Sequence, residues 1–223
     1  MIALTASADA MTAATQALGS IPPSALYADL STSDPVLKRS LAEVVDRRGL
    51  QFVDVALMAP VPGKGLLTPA LASGTGADRY VEIMRPLGVP VEAISTDAGE
   101  AATRKLLRSV MMKGLAALVI EAMRAADAAG LSEWLWGNIV DEITSADEVL
   151  LARLINGTAP HAVRRLHEME ACQSLLESLG VDPVMTRSTV ESLRRIPEEG
   201  VVVLPATRPL DLADQADTPK STQ

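Results

Sequence analysis

The first half of the chain alternates short apolar runs with amphipathic stretches. Residues 1–5, 25–30, 51–58, 68–73 and 89–94 are dominated by Ala, Leu, Val, Ile and Met. Short apolar runs bounded by turn residues read as buried strands. Between them lie helical patterns. Ser7 or Asp9 stands where a first helix, running to Leu18, needs its cap. Ile21-Pro22-Pro23-Ser24 breaks that helix. Asp34 caps a second helix with Pro35 at its first position, a favoured start, and Gly49 stops it after Arg48. Residues 78–84 form a third. Strands alternating with helices predict a largely parallel sheet covered on both faces.

The pattern changes after Thr96. Residues 99–129 contain no proline and only one internal glycine, Gly114. At about 1.5 Å per residue they predict a helix about 45 Å long. Helical patterns follow over 132–143, 146–155, 160–179 and 183–195, punctuated by Gly130, Gly157 and Gly180. From Pro197 an apolar patch, 201–204, gives way to polar residues. Residues 198–223 are expected to be a disordered tail. The fold class expected is α/β followed by all-α. The domain boundaries expected are 1–96 for the sheet and 97–197 for the helices.

Composition narrows the function classes. Of 223 residues 48% are apolar and only 2% aromatic, which favours closely packed helices over an all-β fold. A net charge of −8 argues against a nucleic-acid partner. Cys172 is the only cysteine, so it forms no internal disulfide and no CxxC site; a cytoplasmic location follows as the default. It reads as a small core residue. His161 and His167 have no carboxylate or cysteine at metal-ligand spacing, and no metal is expected. The uncharged run 114–120 is far short of the roughly 20 residues of a membrane span. No membrane partner is expected, and the N-terminus lacks the basic region of a signal peptide.

Three segments carry candidate chemistry. Lys105, Ser109 and Lys113 stand at i, i+4 and i+8 on the long helix, with Arg104 and Arg108 beside them and no acid between Arg104 and Lys113. Crowded cations lower one another's pKa, and a lysine so placed can serve as a base near neutrality. A solvated basic face explains the same residues. Ser31 and Thr32 follow a strand and precede a helix, where open α/β sheets bind ligands; helix capping, which Asp34 and Ser33 alone would explain, is the plainer reading of the segment. Pro62 and Gly63 lie in a loop leaving another strand end, where amides can face an anion or simply form a rigid turn.

In this order the segments resemble the 3-hydroxyisobutyrate and 6-phosphogluconate dehydrogenase superfamily. The branch they look most like is the bacterial 6-phosphogluconate dehydrogenase-like proteins with a distinctive helical C-terminal domain. Residues 27–35 are similar to that family's strand-D-x-S-T-x-x-P segment, and 52–74 to its VDA…GPVP…TP…ASG segment. Gly99-Glu100-Ala101-Ala102-Thr103-Arg104-Lys105 resembles the G-x-A-A-x-x-K run that opens its long interdomain helix. Glu168-Met169-Glu170 resembles its E-M-E segment. The similarity spans residues 1–196.

The resemblance implies a partial Rossmann-type sheet and a helical C-terminal domain. It implies NAD or NADP as cofactor, a hydroxyacid-like small-molecule substrate and a homodimer formed through the helices. Lys105 falls at the family's catalytic lysine, which moves a proton to and from the substrate hydroxyl. Ser31, Thr32, Pro62, Gly63, Ser109 and Lys113 fall on the substrate side, and Thr5, Ala6 and Ser7 on the nicotinamide side. There are departures. Met58-Ala59-Pro60 stands where the family has Ser-Gly-Gly, and Ser109 stands where it has asparagine. No G-x-G-x-x-G turn for the pyrophosphate is present. Residues 1–7 align with the family's fourth strand, so the first mononucleotide-binding half is expected to be missing by N-terminal truncation.

Two functions follow. One is an NAD(P)-dependent oxidoreductase with Lys105 as general acid and base. The other is a truncated, non-catalytic remnant that keeps the helices as a dimerisation module. Imine reductases share this fold class, but usually replace the lysine, so Lys105 counts against that assignment.

Overall fold

The computed structural model describes residues 1–205. They form two compact units, with the division after Gly114.

The first unit is a five-stranded sheet in the order β1-β2-β3-β4-β5: Ile2–Ala3, Leu26–Asp29, Gln51–Leu57, Ala70–Ser73 and Val91–Ser95. β1, β2 and β3 are parallel, and so are β4 and β5. β3 and β4 pair antiparallel. The helices are α1 (Ala10–Ala17), α2 (Pro35–Asp46) and α3 (Ala77–Met84). The core has two layers because side chains alternate along each strand. Tyr27 and Phe52 stack, 6.4 Å between ring centroids, on the layer that holds Ala10 and Ala14 of α1 and Leu41 and Val45 of α2. Leu26, Ala28, Val53 and Val55 face the other layer, with Tyr80 and Met84 of α3.

Most predicted elements are present with ends shifted by a few residues. Asp34 caps α2, its Oδ1 accepting from the amides of Val36 at 2.8 Å and Leu37 at 3.0 Å. The expected cap of α1 is a correction. Neither Ser7 nor Asp9 makes a side-chain capping bond; residues Ser7–Asp9 wind into a 3-10 turn that leads into the helix. The first strand is also shorter than the apolar run, pairing only at Ile2 and Ala3. It forms one edge of the sheet, and Leu4 just beyond it is 76% exposed.

The long helix, α4, spans Glu100–Ala128. Gly99 precedes it at φ +95°, and a Cβ there would stand 2.9 Å from the carbonyl oxygen of Pro35. The glycine lets the start of α4 lie against the start of α2.

In the second unit α5 (Ser132–Thr144), α6 (Glu148–Asn156), α7 (Ala162–Ser178) and α8 (Val184–Glu199) follow the end of α4. α7 and α8 pack together, with Leu176, Val190 and Leu193 buried. Glu121 of α4 is buried and caps α8. It accepts from the amides of Met185 at 2.6 Å and Thr186 at 2.8 Å and from the Thr186 hydroxyl at 2.7 Å. Burial alone raises a carboxyl pKa, but these bonds outweigh it and hold Glu121 below its ordinary value.

Two expectations for this half need correction. α8 runs through Pro197 and stops only at Gly200, at φ +74°. Proline removes one intrahelical bond near the helix end, where few bonds remain to lose. The tail expected from 198 therefore begins helical, and its residues 206–223 lie outside the described residues. Cys172, read as a core residue, is only half-buried on α7.

Candidate functional site

The strand register sets up the site. Asp29 of β2 pairs with Asp54 of β3, and Asp54 pairs with Ser73 of β4, so three polar residues form a row across three neighbouring strands. All three are buried. Two carboxylates side by side in the interior repel unless a cation joins them. Lys38 of α2 is that cation. It is 1% exposed, and its Nζ lies 2.7 Å from Asp29 Oδ2 and 3.0 Å from Asp54 Oδ1. The contact to Asp29 is a well-formed hydrogen bond, and the Asp29 carbonyl accepts a second one at 3.2 Å. The contact to Asp54 Oδ1 is an ion pair without hydrogen-bond alignment.

The remaining oxygens tie the triad to two backbone segments. Ser31 Oγ donates to Asp29 Oδ2 at 2.7 Å and shares a 2.7 Å hydrogen bond with Ser33 Oγ. This fixes the turn between β2 and α2. Asp54 Oδ2 accepts from the amide of Ala102 at 2.9 Å, and Ser73 Oγ accepts from the amide of Ala101 at 3.0 Å. The first turn of α4 thus delivers two free amides to the row, where its dipole favours negative charge.

Lys105 lies one turn further along α4. It is half-buried, and its Nζ donates to Thr32 Oγ1 at 2.9 Å. Its pKa is lowered from the ordinary lysine value. Burial is the largest cause, followed by the charge of Lys38; Asp54 opposes them, and Lys113 adds a smaller push downward. The sequence pointed to crowding along α4 itself as the cause. Burial and the buried Lys38 outweigh it, and Arg104 and Arg108 are exposed. Ser31, Thr32, Ser33, Asp54, Ala102 and Lys105 line a narrow crevice with no room for a water molecule.

The other predicted positions are spread more widely. Ser109 is half-buried and Lys113 exposed, further along α4. Pro62 and Gly63 are exposed in the loop between β3 and β4 and do not line the crevice. Thr5, Ala6 and Ser7 follow β1. The Thr5 hydroxyl oxygen is buried without a hydrogen-bond partner among the described residues. A larger depression of about 1150 Å³ lies in the second unit, lined by residues of α6 and α8, and contains none of the predicted residues.

Lys38 was missed in the sequence. Its signal was there: it sits at i−3 from Leu41 and i−7 from Val45, on the stripe of α2 that enters the core. A glycine pair after a strand also has its explanation here. At Gly74-Thr75-Gly76 a Cβ on Gly74 would stand 2.6 Å from the Phe52 carbonyl oxygen, and one on Gly76 2.9 Å from Val53. A side chain at either position would collide with β3. Among the described residues no group of three His, Cys, Asp or Glu side chains is arranged to hold a metal ion, and no helix is long and apolar enough to cross a membrane.

Comparison with known proteins adds the family context. A family model described as a domain of unknown function, DUF1932, matches residues 126–196. The matched segment runs from the end of α4 into α8. Over 174 residues the chain is 29% identical to an uncharacterized 28.5 kDa protein of Methanothermus fervidus, covering 78% of this chain and 66% of that protein. The chain thus spans just under two thirds of that relative's length. It also resembles the solved structure of a conserved protein of unknown function reported to be similar to 3-hydroxyacid dehydrogenases. Identity there is 28%, with 87% of this chain and 73% of that one covered, at a TM-score of 0.55. A reductive aminase from Aspergillus terreus, in complex with NADPH and ethyl-5-oxohexanoate, shares the fold. It is 21% identical, with 89% and 73% of the chains covered and a TM-score of 0.69. The architecture is therefore a mostly parallel Rossmann-like sheet followed by a helical domain, as the sequence pattern predicted.

Proposed function

We propose that this chain forms the substrate-side part of an NAD(P)-dependent oxidoreductase acting on a hydroxyacid-like small molecule, with Lys105 as its proton-transfer group. The observation that carries this reading is the hydrogen bond from Lys105 Nζ to Thr32 Oγ1 at the mouth of a buried polar row. A lysine whose pKa is lowered by burial and by a neighbouring ammonium is suited to take a proton and return it near neutrality.

A bound nicotinamide would supply or accept the hydride. In oxidation, neutral Lys105 takes the proton of the substrate hydroxyl as the carbon loses its hydride. In reduction, protonated Lys105 returns a proton to the carbonyl oxygen. Thr32 would keep the amine at the site while Lys105 takes the substrate oxygen as a further partner. Thr5, Ala6 and Ser7 would hold the nicotinamide, for which the unpartnered Thr5 hydroxyl supplies a hydrogen-bonding atom. Pro62, Gly63, Ser109 and Lys113 would complete the substrate side. The fold shared with a reductive aminase brings imine substrates into view. Lys105 supports the hydroxyacid reading instead.

The working form in this proposal is a cytoplasmic homodimer built through the helical unit. In support, Trp134 and Trp136 of α5 are 65% and 56% exposed, and Leu151 and Leu154 of α6 about half. Such large apolar side chains in the open mark contact surfaces. Fluorescence titration of the full chain with NADH and NADPH tests the cofactor. Saturable binding that weakens in Thr5→Val is expected. An absence of binding to either nucleotide would favour a non-catalytic interaction module.

A further inference from the structure

Lys38 has no role in the proton transfer proposed above, yet it is among the most deeply buried side chains of the chain. A lysine in such a place is costly, and an apolar residue would pack there with less desolvation. Its two partners lead to the two halves of the site. Asp29 holds Ser31, next to Thr32. Asp54 holds the Ala102 amide, one turn before Lys105. Gly99 lets the backbone at the start of α4 press against Pro35, three residues before Lys38. Thr32 and Lys105 therefore meet across a frame whose centre is one ammonium group.

We propose that Lys38 is a positioning residue for Lys105: it clamps the β2–α2 turn to the first turn of α4, and it sets a fixed buried positive charge behind the Lys105 amine. The inference rests on the proposed role of Lys105 for its catalytic meaning, but the arrangement itself is testable without turnover.

The charges that act on Lys105 have opposite signs. The Lys38 ammonium disfavours a second ammonium nearby, and the Asp54 carboxylate favours it. Asp54→Asn keeps the shape of the side chain and an oxygen for the Ala102 amide. It removes the favourable charge and leaves Lys38 less neutralised, so Lys105 must lose its proton at lower pH than in the unaltered chain. Mere loosening of the frame would do the reverse, because a better-hydrated lysine returns upward toward its ordinary value. Lys38→Met removes the unfavourable charge and shifts Lys105 upward by either route. Lys38→Met is the direct test of Lys38, and Asp54→Asn reads the balance of charge at the Lys105 amine where Lys38→Met does not fold.

The measurement is competitive labelling of the full chain with acetic anhydride across pH, read by mass spectrometry of the peptide containing Lys105. Circular dichroism confirms the fold of each variant. A downward shift of the Lys105 labelling midpoint in Asp54→Asn is the expected result. No shift, or an upward one, overturns the proposal. This readout needs neither cofactor nor substrate, so a failure of the oxidoreductase reading leaves it intact, and its own failure leaves that reading standing.

Discussion

Lys105 and Thr32, 73 positions apart in sequence, meet through a hydrogen bond of 2.9 Å from Nζ to Oγ1. The contact joins the first half of α4 to the turn after β2. It selects Lys105 from the cations of α4 as the one held at the sheet.

Thr32→Val tests the value of that contact. A hydrogen bond to a charged group is worth about 1.5–3 kcal/mol, or roughly ten- to a hundredfold in rate if lost only in the transition state. Turnover is expected to fall by about that factor. Thermal stability should stay nearly unchanged, because Thr32 is exposed. A drop in melting temperature matching the loss of rate would place Thr32 in the scaffold instead.

The Lys105 ammonium is disfavoured in the fold, and this predicts two pH effects. Oxidation needs the free amine, so its rate should rise with pH through the lowered Lys105 pKa, while the reductive rate falls over the same range. The unfolded chain holds this proton more tightly than the folded one. Lys105 therefore lowers stability at neutral pH, and the cost fades as pH climbs from its folded pKa toward its ordinary 10.5. Lys105→Met should melt slightly higher than the unaltered chain at pH 7 and lose that advantage above 10.5. Differential scanning calorimetry across pH reads the effect.

Glu121 makes the opposite prediction in the second unit. Its carboxyl is held below the ordinary 4.5 by the bonds it accepts at the start of α8. Its contribution to stability is complete above that value and is lost as pH falls through the lower folded one. Glu121→Ala leaves the amides of Met185 and Thr186 without this acceptor and should cost about 1–3 kcal/mol at neutral pH. Denaturant titrations at pH 7 and pH 3 should show the deficit shrinking in acid.

Much of the fold was legible because its signals are local. The capping of α2 by Asp34, the proline at its first position and the unbroken length of α4 are each written in a few adjacent residues. The candidate site was legible only in part. Lys105 and Thr32 were singled out separately, but nothing local joins them. Lys38, Asp29 and Asp54 carry no local sequence signal that joins them. Their partnership depends on the register Asp29↔Asp54↔Ser73, a long-range property of three strands. The short β1 and the overrun of α8 past Pro197 depend likewise on pairing and packing that composition does not encode.

The central claim is that Lys105 moves the substrate proton. Its most direct test compares the unaltered chain with Lys105→Ala, using a panel of 3-hydroxyacids and both NAD and NADP, and reading NAD(P)H absorbance. The account predicts turnover by the unaltered chain on at least one member of the panel. It predicts that the rate falls about 10²–10⁴-fold in the variant, the usual contribution of a general acid or base, with the fold intact by circular dichroism. A variant that keeps the full rate would contradict the account.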